Sequence, residues 1–210
     1  MSKNLFKITI LLLFSVVQIA ALAQTPAKLM VFTSILPQKF FVEQLAGDLA
    51  EVEVLVGPGM SPHTYEPLPQ QMSKLSRASL FFTIGVPFEK ALEKKLAAVC
   101  PNLKIVATNE GVAYRSMETF ASDHQHDENC THAAGQPDPH IWLDPLQVTI
   151  QARNIATALK ALLPDSQTLI DERLGSFNRQ LEELTEELAQ KMLPWKGQTM
   201  LVFHPAFGYF

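Results

Sequence analysis

LMVFTSILPQKFFVEQLAGDLAEVEVLV, residues 29–56, sets two strand-like runs on either side of one helix-like stretch. Leu29 to Thr33 is a compact apolar run. Phe40, Phe41, Val42 and Leu45 then recur at helical spacing up to Gly47, and Glu51 to Val56 alternates charged and apolar residues as a strand does. The rhythm continues downstream. A Gly/Pro-rich loop at 57–69 leads to a short helix through Met72 and Leu75. Leu80 to Ile84 (LFFTI) is a strand of the fully buried type, Phe88 to Val99 is an amphipathic helix stopped before Pro101, and Leu103 to Ala107 is a further strand. Strands alternating with helices predict an α/β fold, with a parallel sheet and helices on both faces.

Residues 110–137 interrupt this pattern, being polar and without periodicity. A helix then runs to about Leu163. Asp165, just after Pro164, is a candidate N-cap for the longest signal in the chain. Ile170, Leu174, Phe177, Leu181, Leu184 and Leu188 make one apolar stripe on a helix of roughly 25 residues, close to 38 Å long. The stripe lasts only about three heptads, which favours one long helix bridging two lobes over a coiled coil. After Pro194 and Gly197, Thr199 to Phe203 (TMLVF) reads as a new strand ending on His204.

The N-terminus reads as an export signal. Lys3 and Lys7 precede the apolar run from Ile8 to Ala20, and Ala21-Leu22-Ala23 has the small-x-small form of a cleavage site, with Gln24 first in the mature chain. The run is shorter than the ~20 residues that span a bilayer, and no Cys at the cleavage site offers a lipid anchor there. Cleavage at this point removes two of 17 Lys and Arg and none of 21 Asp and Glu, leaving a formal charge of −6. That balance argues against nucleic acid and suits a protein that handles cations. In an exported chain Cys100 and Cys130 are candidates for a disulfide. Two isolated thiols, or Cys130 as a soft metal ligand, are the alternatives.

Three histidines stand in Pro-flanked segments: His63 in SPHTYEP (61–67), His140 in DPHIWLDP (138–145) and His204 in VFHPAFGYF (202–210). His63 and His204 each follow an expected strand, and open parallel sheets bind ligands beyond the carboxyl ends of their strands. Neutral imidazole suits zinc, copper and nickel better than calcium or magnesium, and three would supply most of a tetrahedral zinc shell. Separations of 77 and 64 residues are no zinc-finger spacing. Each histidine alone is better explained as a loop residue satisfied by water or a carbonyl.

Taken together and in this order, the three segments resemble the metal-ligand motifs of periplasmic zinc-binding proteins from ABC-type zinc and manganese uptake systems. The signal peptide and the long helix match as well. The resemblance implies two α/β lobes joined by a rigid helix, with Zn2+ between them and a membrane permease of an ABC importer as the partner. It carries His63 and His140 onto the first-lobe ligands. His204 falls on the third ligand, where manganese-type relatives usually carry Glu, and this favours zinc. It also likens Asp123 to His132 to a His- and acid-rich loop, in which His124, His126 and His132 would collect zinc at lower affinity. Glu66 and Asp144 lie near ligands in sequence without an assignable role, and Trp142 and Phe207 are expected to pack.

The expected organisation is a signal peptide at 1–23, a metal-binding lobe at 24–163 with the insertion at 110–137, a linker helix at 164–193, and the start of a truncated second lobe at 194–210. The family's fourth, acidic ligand would lie beyond Phe210. The expected activity is high-affinity periplasmic zinc capture and delivery, without catalysis. A three-His zinc hydrolase is the first alternative, but neither H-E-x-x-H nor G-x-S-x-G occurs. A periplasmic zinc buffer or chaperone without a transporter is the second.

Overall fold

The computed structural model describes residues 28–116, 137–204 and 206–209. The expected signal peptide, the loop histidines His124, His126 and His132, and Cys130 therefore lie outside the described residues. Four strands form one parallel sheet: β1 (Leu29–Ile35), β2 (Ala50–Val56), β3 (Leu80–Thr83) and β4 (Lys104–Ala107), in spatial order β2-β1-β3-β4. Between them run α1 (Leu36–Ala46), α2 (Pro69–Leu75) and α3 (Glu89–Val99). After them come α4 (Pro145–Leu162) and α5 (Gln167–Met192).

Alternation along the central strands sends neighbours to opposite faces. Val31, Leu80 and Phe82 pack with α1, α4 and α5, while Phe32 and Phe81 pack with residues of α2 and α3 such as Leu75, Leu92 and Leu96. All four residues of β3 are buried, as expected of a strand covered on both sides. Phe32, Phe81 and Phe82 are almost wholly removed from water, and each such burial contributes ~2 kcal/mol to the fold.

The long helix is 26 residues, and its stripe divides along its length. Ile170, Phe177 and Leu181 are buried against α1 and α4, whereas Leu184 is exposed. Arg173 fastens α5 to the end of α1: its guanidinium donates to the carbonyls of Ala46 and Leu45 and faces Asp48. A cation at unsatisfied helix-terminal carbonyls is favourably placed. Gly47, at φ 54°, turns the chain there, and a Cβ on it would fall 2.9 Å from Arg173 Nη1.

Two local expectations are corrected. Asp165 is not the N-cap of the long helix but lies inside a 3-10 turn, Pro164–Ser166, and the capping residue Ser166 makes no side-chain cap bond. The turn carries the chain out of α4 through its own backbone bonds. Residues 199–203 do not form a strand. Ladder pairing requires a partner strand, and this segment pairs with none of the four. Leu201 and Phe203 are instead fully exposed.

Candidate metal centre

The three motif histidines meet beside the carboxyl ends of the strands, each brought there by a different device. His63 comes from the loop after β2, and Tyr65 anchors that loop. The Tyr65 ring is buried edge-on against Phe88, and its hydroxyl donates to Gln71 Oε1 at 2.7 Å. The same oxygen accepts Leu68 N–H, and Gln71 Nε2 donates to the carbonyl of Leu55 at the end of β2. His63 itself is exposed.

His140 opens a 3-10 turn, Ile141–Leu143, ahead of α4 and is buried. Its Nδ1 lies 2.6 Å from Asp138 Oδ1, which also accepts the His140 backbone N–H at 3.0 Å. Trp142 packs edge-on against the imidazole, with ring centroids 5.2 Å apart, and bridges both apolar clusters. Asp144 is committed elsewhere, capping α4 by accepting Leu146 N–H at 2.9 Å. Glu66 is exposed.

His204 arrives on the segment after the long helix rather than at a strand end, so pairing in a sheet does not position it. Five residues later, the Tyr209 hydroxyl donates to the Asp138 carbonyl at 2.9 Å and accepts Arg115 N–H at 3.0 Å. Burial holds the Tyr209 phenol above its usual pKa range, opposed by the Arg115 N–H and supported by the Asp138 charge, so it remains a donor. Gly208 lies flat on Asp138, where a Cβ would come 2.7 Å from Oδ2.

His140 Nε2 and His204 Nε2 are 3.0 Å apart, with ring centroids at 5.0 Å. Two imidazoles on one tetrahedral zinc, with bonds near ~2.0 Å, would place their nitrogens about 3.3 Å apart and their centroids about 5 Å apart. This pair already matches. The His63 centroid is 6.2 Å from that of His204, about 1 Å too far. Among the described residues, no three His, Cys, Asp or Glu side chains surround one point. The arrangement is a preformed pair with a third imidazole at its mouth, able to take a borderline cation on nitrogen donors.

Sequence reasoning missed Asp138, Tyr65, Gly208 and Tyr209. Asp-Pro-His carried a usable signal, since an acid two residues before a ligand histidine can reach its distal ring nitrogen. Trp142 packs as expected, whereas Phe207 is 45% exposed. Cys100 is buried, and its proposed partner lies outside the described residues.

The family described as "ZnuA: Zinc-uptake complex component A periplasmic" matches residues 31–210. The high-affinity zinc uptake system protein ZnuA of Yersinia pestis is 31% identical over 194 residues, covering 86% of this chain and 61% of the relative. The manganese ABC transporter substrate-binding lipoprotein PsaA of Streptococcus pneumoniae is 29% identical over 171 residues, covering 80% and 53%. A crystal structure of ZnuA superposes with a TM-score of 0.75 at 37% identity, covering 87% of this chain and 66% of that one. The chain thus spans under two thirds of the length of each of these relatives.

Proposed function

Because the chain belongs to the ZnuA family of periplasmic zinc-uptake components, we propose that it captures Zn2+ between His63, His140 and His204 and hands it to the permease of an ABC importer. The approach of the His140 and His204 Nε2 atoms to 3.0 Å supports this reading above all else. It brings together nitrogens that sequence spacing alone could not relate. The family is one of solute-binding transport proteins, and we assign this member no catalytic step. Imidazoles displace water from the ion, and the ion leaves unchanged. Acid weakens binding, because each imidazole must be neutral to ligate.

Relatives carry zinc or manganese in their names. The nitrogen-rich donor set here favours zinc, since manganese prefers oxygen donors. Residues 24–163 would form the metal-binding lobe, 164–193 the linker helix and 194–210 the lead into a second lobe. Residues 1–23 would be a cleaved signal, consistent with the periplasmic and lipoprotein relatives. No helix of the described residues is long and apolar enough to cross a membrane. His124, His126 and His132 would serve as a secondary, weaker collecting loop.

Competitive titration of the chain with zinc and manganese, beside a His63→Ala/His140→Ala variant, tests the reading. One tight zinc equivalent, absent from the variant and unmatched by manganese, is expected. Zinc retained in full by the variant would move the metal away from these histidines.

A further inference from the structure

Asp138 touches both ligand-bearing segments, one through its carboxylate and the other through its backbone. Its Oδ1 accepts from His140 at two points, the backbone N–H at 3.0 Å and the ring Nδ1 at 2.6 Å. An ionised carboxylate only accepts hydrogen bonds, so the ring proton must sit on Nδ1 and leave the Nε2 lone pair open. That lone pair is the one directed at His204 Nε2. The Asp138 carbonyl, meanwhile, accepts the Tyr209 hydroxyl, and its Oδ2 is the atom against which Gly208 is laid. At 3% exposure, the residue is shielded from water that would compete for these contacts.

A second tie runs through Asp138 to the rim of the polar insertion. Its N–H donates to the Arg115 carbonyl at 2.8 Å, and the Arg115 N–H donates to the Tyr209 hydroxyl at 3.0 Å. Ser116 and Pro137 form a bridge beside them. Three chain segments, at 115–116, 137–140 and 208–209, therefore close on one buried carboxylate residue.

Building on the metal-capture reading, we propose that Asp138 is the positioning residue of the site. Its carboxylate selects the His140 tautomer that offers Nε2 to the cation, and its carbonyl, through Tyr209, holds the segment carrying His204 in register. A carboxylate behind a ligand imidazole also raises the basicity of the donor nitrogen, and losing such a partner typically costs 10–100-fold in metal affinity.

The experiment pairs a metal-free readout with a metal-binding one in the full chain. Long-range 1H–15N correlation of the His140 ring, recorded without zinc, should give the Nδ1–H tautomer in the parent. Asp138→Ala should shift it toward Nε2–H and lower zinc affinity 10–100-fold. Asp138→Asn keeps an acceptor oxygen without the charge, and should restore the tautomer with only part of the affinity. Tyr209→Phe should leave the His140 tautomer untouched while lowering zinc affinity several-fold. An unchanged tautomer and unchanged zinc affinity in both Asp138 variants would overturn the proposal. Zinc affinity indifferent to His140→Ala would instead remove the metal-capture reading, while the tautomer measurement would still decide what Asp138 does.

Discussion

His140 Nε2 and His204 Nε2 lie 3.0 Å apart across 64 positions of chain. His140 is buried and backed by Asp138, whereas His63 is exposed and its ring stands farther off. Preorganised donors give up less ordering entropy when the ion arrives. Loss of His140 or His204 should therefore lower zinc affinity at least a hundredfold, and His63→Ala should cost at least tenfold less than either. Competition against a chromophoric chelator measures all three, and equal losses would show that the pair is not preformed.

Gly208 gives a test that separates the site from the fold. A methyl group there would meet Asp138 Oδ2 at 2.7 Å, closer than any ordinary carbon contact. Gly208 is outside both apolar clusters. Gly208→Ala should thus push the tail off Asp138 and weaken zinc binding about tenfold, with the thermal midpoint of the metal-free chain within ~2 °C of the parent. A large drop in that midpoint would mean that the tail contributes to the core.

The extent to which the sequence was readable follows from what each pattern encodes. Burial periodicity located the four strands of the described residues to within two residues at each end and marked their five helices, because LFFT or the Ile170–Leu181 stripe has one way to hide its apolar atoms. The segment at 199–203 carries the same apolar signal and yet forms no strand, since composition records a preference and not the presence of a pairing neighbour. The three histidines stood out through their motifs as candidate ligands, and the structure brings His140 and His204 to 3.0 Å of each other. Tyr209 did not, because its role depends on contacts as distant as the 94 positions between it and Arg115, whereas the Asp138 contact to His140 is local and was missed although its signal lay in the motif. Asp144 shows the converse: a carboxylate near a candidate ligand in sequence is occupied as a helix cap.

Glu89 predicts a pH dependence independent of the metal. Burial raises its carboxyl from 4.5 to about 7, against the pull of N–H groups from Ile84 and Gly85. Between those values the folded state holds a proton that the unfolded state has released, so stability falls as pH rises from 4.5 to about 7 and then levels. The loss amounts to about 3 kcal/mol from this group. The Glu89 carboxyl carbon should titrate near neutrality by NMR, and Glu89→Gln should flatten the corresponding slope in urea unfolding. A carboxyl midpoint at the ordinary glutamate value would refute the assignment.

The segment after α5 predicts self-association. Leu193 and Trp195 are 69% and 65% exposed, Leu201 and Phe203 are fully so, and Phe207 is half-exposed. These side chains follow one another along a stretch that belongs to no sheet, and exposed apolar side chains in succession favour contact with any other apolar surface. Because none belongs to either buried cluster, replacing them removes surface without opening a cavity. Leu201→Ser/Phe203→Ser should move the chain toward monomer in size-exclusion chromatography with light scattering, with its thermal midpoint unchanged within ~2 °C. If the parent chain is already monodisperse and monomeric at tens of micromolar, the exposed run does not drive association.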